Sequence, residues 1–259
     1  MTSVAAAAGL LGCLASFAAG CASAPTLDVL PADEEYTLGT AAYAEGDYGE
    51  AAERLNRLVL NYPEDPRVPE VRYLLGQANF RIQEYPSAAQ DFERFQGDFP
   101  NDSLADDALY WAGRAYEAQS LKPQLDQADT RRAISSYSDL VRQYSSSGHA
   151  ADAEARTAAL RERLAEKEML NVRYYFKHEL WKATEIYARS LIEEYPQSAQ
   201  VAAAYLILLR TYEAQGKAED AARVRQVLLD QFPQSPEAEQ VRQALGPAEG
   251  VSLQARTTR

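Results

Sequence analysis

Tyr36-Thr37-Leu38-Gly39, Tyr73-Leu74-Leu75-Gly76 and Tyr110-Trp111-Ala112-Gly113 share one pattern, Tyr-x-x-Gly, and recur at intervals of 37 residues. A fixed period of this length is the mark of stacked repeats. An aromatic residue followed by proline closes the units, at Tyr62-Pro63, Phe99-Pro100, Tyr195-Pro196 and Phe232-Pro233, with Tyr144-Ser145 as a degenerate member. At 12 residues before each closing proline or its equivalent stands a small residue: Ala51, Ala88, Ala133, Thr184 and Ala221. Five units are therefore expected.

Each unit reads as a helical hairpin whose two helices cross closely. Gly39, Gly76 and Gly113 remove the side chain where the partner helix presents Ala51, Ala88 or Ala133, and Leu55, Leu58, Phe92, Phe95, Tyr137, Leu140, Leu191 and Leu228 recur at helical spacing on the buried face. Gly46-Asp47-Tyr48, Glu84-Tyr85-Pro86 and Gln215-Gly216-Lys217 supply turns, and the terminal proline stops the second helix. This arrangement resembles the tetratricopeptide repeat. It implies an all-α fold: a tetratricopeptide-repeat superhelix of five helical hairpins plus a C-terminal capping helix, each repeat touching only its neighbours. The expected repeats cover residues 32–65, 69–102, 106–147, 165–198 and 202–235 within a repeat domain of 32–246. The capping helix spans Pro236–Leu245, and residues 247–259 form a flexible tail. Two units exceed the period. Ser120–Gln127 inserts a loop into the third hairpin, and Gly148–Met169 reads as an extended helix between the third and fourth.

The amino terminus is different. Met1–Gly20 carries no charged side chain, and its apolar run reads as a signal peptide for residues 1–20, although no Lys or Arg precedes it. Phe17-Ala18-Ala19-Gly20-Cys21 resembles a bacterial lipobox, with Cys21 as the acylated residue, carrying palmitate among its acyl chains, and 21–31 as a tether. Cys13 offers a second match that leaves only 12 residues of signal, and simple cleavage to a soluble periplasmic protein is the alternative. No other run is long and apolar enough for a membrane span, so any membrane attachment is expected through the lipid anchor only.

Composition excludes several classes. The 259 residues hold 38 acidic against 26 basic side chains, a net charge of −12 that repels phosphate backbones, so no nucleic acid is expected as a partner. The two histidines, His149 and His178, are too sparse for a metal site. His178-Glu179-Leu180-Trp181-Lys182 begins like a zinc-protease motif, but Lys182 stands where the second histidine is required. No phosphate loop, nucleophile elbow or cysteine in the body is present, and Glu34-Glu35 and Asp106-Asp107 fall at helix starts, where they meet the helix dipole. No catalytic residue, metal or cofactor is expected, and the chain does not read as an enzyme.

Arg131–Tyr144, Leu160–Glu168, Tyr174-Tyr175-Phe176 followed by Trp181, and Glu194-Tyr195-Pro196 resemble the BamD family of outer-membrane assembly lipoproteins. With the five repeats, the insertion and the lipobox-like Cys21, the resemblance covers nearly the whole mature chain. Ser145 in place of proline, the short insertion and the uncharged start depart from the family. The resemblance implies a non-catalytic scaffold at the periplasmic face of the cell outer membrane. It would dock on BamA-type POTRA domains beside other assembly lipoproteins and receive unfolded outer-membrane proteins. For substrate it suggests a groove lined by Tyr36, Tyr43, Tyr73, Phe80 and Tyr110, with hairpin core as the competing role for Tyr36, Tyr73 and Tyr110. For docking, residues 130–190 hold 11 Lys or Arg against 8 acids in an otherwise acidic chain, and Arg156, Arg161, Arg163, Lys167, Arg173 and Lys177 are the candidates, with helix solvation as the plainer role of each. The rival is another periplasmic tetratricopeptide adaptor coordinating cell-wall or envelope-constriction proteins.

Overall fold

The computed structural model describes residues 30–254, with side chains as far as Leu245. The expected signal segment, Cys13, Cys21, the tether up to residue 29 and the chain beyond Gln254 lie outside the described residues.

Among the described residues all regular structure is helical. Five hairpins follow in chain order: α1 (Ala32–Glu45) with α2 (Tyr48–Asn61), α3 (Val68–Arg81) with α4 (Tyr85–Asp98), α5 (Ala105–Gln119) with α6 (Ala128–Gln143), α7 (Ala150–Lys177) with α8 (Trp181–Glu194), and α9 (Val201–Ala214) with α10 (Ala218–Gln231). Helix α11 (Pro236–Gln254) closes the stack against α9 and α10. This is the all-α superhelix of five hairpins and a capping helix. One boundary differs, because α11 passes through Gly246-Pro247 to Gln254 instead of ending at Leu245. Intrinsic propensity disfavours both residues inside a helix but does not forbid them.

The second helices show why the sequence folds this way. The first four bury residues at i, i+4 and i+7: Ala51, Leu55 and Leu58 in α2; Ala88, Phe92 and Phe95 in α4; Ala133, Tyr137 and Leu140 in α6; Thr184, Ala188 and Leu191 in α8; α10 buries Ala221 and Leu228 with Arg225 between them. That spacing is one stripe of a 3.6-residue helix, and each fully buried Leu or Phe contributes about 1.5–3 kcal/mol. The closing aromatics Tyr62, Phe99, Tyr144, Tyr195 and Phe232 leave the helical region at φ between −131° and −124°, and each backbone N–H still donates to the carbonyl four residues back. A following proline disfavours the α region for the residue before it. Tyr144 adopts the same geometry before Ser145, so a following proline is not required for it.

The glycines sit at the helix crossings, but they face Leu55, Phe92 and Tyr137, one turn beyond the expected Ala51, Ala88 and Ala133. A Cβ on Gly39 would lie 2.8 Å from Leu55 Cδ2, on Gly76 2.9 Å from the Phe92 ring, and on Gly113 2.5 Å from the Tyr137 ring. Four of the five hairpin turns share a left-handed residue, with φ of +85° at Gly46, +66° at Gln83, +56° at Glu179 and +68° at Gly216.

Helix α7 merges the extended helix and the fourth hairpin's first helix into one rod of 28 residues. Its Ala153 and Leu160 belong to the core of hairpins two and three, and its Met169 and Val172 to the core of hairpins four and five. The insertion Ser120–Gln127 is the α5–α6 loop, and it is ordered from within. The buried Gln127 amide donates among the carbonyls of Leu121, Lys122, Leu125 and Asp126 at 2.9–3.4 Å, and its Oε1 accepts from Thr130.

Candidate functional site

The candidate groove residues lie on the first helices of the first three hairpins. Tyr36 and Tyr43 on α1, and Tyr73 and Phe80 on α3, are spaced i, i+7 and so share a face; Tyr110 on α5 continues the first row. The structure separates this set. Tyr36, Tyr43, Tyr73 and Phe80 are half-buried, each keeping part of its ring exposed. Tyr36 donates to Glu70 at 3.0 Å, with the Arg67 guanidinium 4.6 Å over its ring. Tyr73 meets Phe92 and Phe95 edge-on at 5.8 and 6.0 Å, and burial pushes its hydroxyl up to about 12. Such edge-to-face pairs contribute about 0.5–1.5 kcal/mol beyond their buried area.

Tyr110 is only 7% exposed and offers no face to a ligand. Its ring stacks on His149 at 4.1 Å with an interplanar angle of 10°, and its hydroxyl donates to Asp152 at 2.7 Å. Of its two candidate roles, the buried one applies.

Three aromatic residues absent from the predicted set join the row. Tyr48 packs on Tyr43, and Tyr85 on Phe80, both edge-on at 5.3 Å, and Trp111 of α5 meets Phe80 at 5.0 Å. Tyr48 and Tyr85 are themselves 37 residues apart, the signal that could have found them. Arg81 over Tyr48 and Arg114 over Trp111, at 5.3 and 5.7 Å, add cations along the same row. The result is a half-exposed ladder of rings across hairpins one to three, suited to apolar and aromatic side chains of an extended segment.

The six basic candidates on α7 do not form one patch. Arg156 is engaged at the junction of hairpins three and four: it donates to Asp152 at 2.6 Å and to Glu117 of α5 at 2.9 Å, while Glu117 also accepts from the buried Tyr137 hydroxyl at 2.7 Å. Donation from Tyr110 and then from Arg156 holds the Asp152 carboxyl below its usual range. His149 Nε2 lies 2.7 Å from Asp107, so that acid, read from sequence as a helix-start charge, also ties α5 to α7. Glu35, read the same way, is fully buried and pairs with Arg57 at 3.0 Å and Arg54 at 3.5 Å, tying α1 to α2. Lys167 donates to the Leu125 carbonyl at 2.6 Å and pins the insertion loop. Arg163 is half-buried, and Arg161, Arg173 and Lys177 are exposed; none of these four makes an ion pair among the described residues. Arg173 and Lys177 lie one turn apart at the end of α7, beside the exposed Leu170 and Tyr174.

Among the described residues no cluster of acids, histidines or cysteines has the geometry of a metal site, and no helix is long and apolar enough to cross a membrane.

Comparison with known proteins adds identity to this geometry. The outer membrane protein assembly factor BamD of Neisseria meningitidis serogroup A is 35% identical over 111 residues, 43% of this chain and 42% of that protein. The factor of the same name from Xylella fastidiosa is 32% identical over 111 residues, 43% of this chain and 38% of its own length. The matched stretch thus spans less than half of these relatives. Among solved structures, that of the MamA protein aligns with 77% of this chain and 90% of its own, at 16% identity and a TM-score of 0.39. The model of the YfiO family, described as outer membrane lipoprotein, matches residues 29–228, from the edge of the expected tether into α10, and the chain belongs to that family.

Proposed function

We propose that this chain is a non-catalytic scaffold lipoprotein of the machinery that assembles β-barrel proteins in the outer membrane. It is held at the periplasmic face through acylated Cys21 after removal of residues 1–20, docks on BamA-type POTRA domains, and receives segments of unfolded outer-membrane proteins. The repeat domain is the working part, and residues 21–31 are the tether.

The observation that carries this reading is the family match over residues 29–228, supported by assembly-factor relatives over part of the chain. The half-exposed ladder of Tyr36, Tyr43, Tyr73 and Phe80 suits it, because strands of membrane barrels carry an apolar outer face flanked by girdles of aromatic residues. Docking falls to the exposed basic residues Arg161, Arg173 and Lys177 with Arg163, since Arg156 and Lys167 are held internally. Charge there steers encounter and register more than it adds affinity.

The test is co-purification from envelopes solubilised in mild detergent, with a tag on the C-terminal residues. A POTRA-containing barrel protein eluting in comparable amount is the expected result; cell-wall enzymes eluting instead would transfer the function to a periplasmic adaptor. Cys21→Ala is expected to release the chain from membranes, and membrane association that survives this change and a high-salt wash removes the anchor.

A further inference from the structure

The doubled length of α7 leaves an opening between the third and fourth hairpins. The first helix of the first, second and fifth hairpins has 14 residues, and its partner follows at once. Helix α7 has 28, and α8 begins only at Trp181, so Ala150–Arg163 packs on α6 with no second helix of its own hairpin beside it. The chain returns to this stretch only at the α8–α9 turn, where Glu162 accepts from the Ala199 backbone at 3.1 Å and from Gln200 at 3.3 Å.

Two cavities remain between these walls. One, of about 380 Å³, is bounded by Val141 and Arg142 of α6, Thr157 and Ala158 of α7, and Gln197; the other, of about 220 Å³, continues past Arg161 to Tyr195 and Pro196. Ala158, Arg161 and Gln197 line both, so Arg161 stands where they meet. The walls carry apolar surface from Val141, Ala158, Tyr195 and Pro196. Of the charges, Glu162 is held by the turn, Arg142 leans on Asp139, and Glu154 lies exposed on the rim. Arg161 is the lining cation that makes no ion pair among the described residues. An exposed guanidinium between apolar walls, in a protein of net charge −12, complements a carboxylate flanked by apolar side chains.

We infer that this cleft is a second docking site, which takes a short extended segment of a partner protein carrying an acidic residue between apolar ones. The acid pairs with Arg161, and its neighbours fill the two cavities. Their volumes suit a few side chains and not a helix. The site is separate from the aromatic ladder; it gives Arg161, counted above among the POTRA-docking residues, to this cleft and leaves Arg163, Arg173 and Lys177 to the POTRA domains.

The experiment uses the full mature chain in detergent and a fluorescent peptide of alternating leucine and aspartate, with an asparagine-for-aspartate peptide as control. Anisotropy is expected to show binding of the acidic peptide at least tenfold tighter than of the control. Arg161→Glu and the cavity-filling Val141→Trp, each checked for native helicity, are expected to weaken it tenfold or more, and Arg173→Glu with Lys177→Glu to leave it unchanged. Equal binding of both peptides, or acidic-peptide binding untouched by Arg161→Glu, overturns the inference. Self-association in sedimentation that Arg161→Glu abolishes, without peptide binding, would give the cleft to a second copy. Capture on phosphatidylglycerol vesicles that Arg161→Glu abolishes, again without peptide binding, would give it to a lipid surface; either result overturns the proposal.

Discussion

The first three hairpins and the last two solve the same packing problem in opposite ways. In hairpins one to three the first helix provides glycine, Gly39, Gly76 or Gly113, and the second helix lays Leu55, Phe92 or Tyr137 across it. In hairpin four the corresponding residues are Val172 and Ala188, both fully buried, so the larger side chain comes from the first helix. In hairpin five they are Leu209 and Arg225, which line one cavity while Arg225 reaches out to Glu213 at 2.8 Å. In hairpins one to four one partner is small and the other fills the space, as dense cores require. A search for glycine alone therefore finds three hairpins, whereas the small residue and closing aromatic of the second helix find all five.

The sharpest way to break the comparison is Gly113→Ala. Its Cβ would fall 2.5 Å from the Tyr137 ring, which is pinned by the bond to Glu117, so the loss is expected near 3 kcal/mol, the upper end for overpacking, read from chemical denaturation. Val172→Gly, which writes the first hairpins' residue into the fourth, is expected to cost about 2–3 kcal/mol from a cavity and a mid-helix glycine. A neutral result would mean that Ala188 and its neighbours collapse to fill the gap. Gly39→Ala should cost about 1 kcal/mol, because its closest neighbour is the free end of Leu55, which turns aside more easily than a ring.

Smaller still is the turn position. Gln83→Gly and Glu179→Gly are expected to be neutral to stabilising by up to about 1 kcal/mol, since each now holds a side chain in the left-handed region that Gly46 and Gly216 occupy without strain. A loss in either variant would show that the side chain itself supports the turn.

The junction between hairpins three and four contrasts with the others. First helices of other successive hairpins approach one another closely, α1 to α3, α3 to α5 and α7 to α9, but α5 and α7 are joined largely through Tyr110, Asp152, Arg156, Glu117, Asp107 and His149. Because the Asp152 carboxyl is held below its usual range of about 4, its contribution is present above that pH and is lost as pH falls through the lower folded value. Melting temperature should therefore drop more steeply in acid for the unaltered chain than for Asp152→Asn, and parallel curves would remove Asp152 from the acid response.

Much of this was legible before any coordinates. The Tyr-x-x-Gly period, the closing aromatics and the i, i+4, i+7 stripes are local patterns, and local patterns survive in sequence. The lipobox-like stretch before Cys21 is an expectation from sequence alone, since it lies outside the described residues. The candidate site was legible by residue type and not by role. Tyr110 and Tyr73 hold the same repeat position, yet one is buried against His149 and the other half-exposed, because only the third hairpin is followed by α7. Arg156 and Lys167 look like surface charges until Glu117 and the Leu125 carbonyl, 39 and 42 residues away, are brought to them.

The sequence by itself determined that the chain stacks helical hairpins, how many there are, and where a loop and a long helix interrupt them. These follow from hydrophobic period and from glycine and proline, which act over a few residues. Only the tertiary structure decided which rings remain exposed, which arginine stands in an open cleft, and which charges bind the stack together. Those depend on groups distant in the chain meeting within 3 Å, and no local pattern records that meeting.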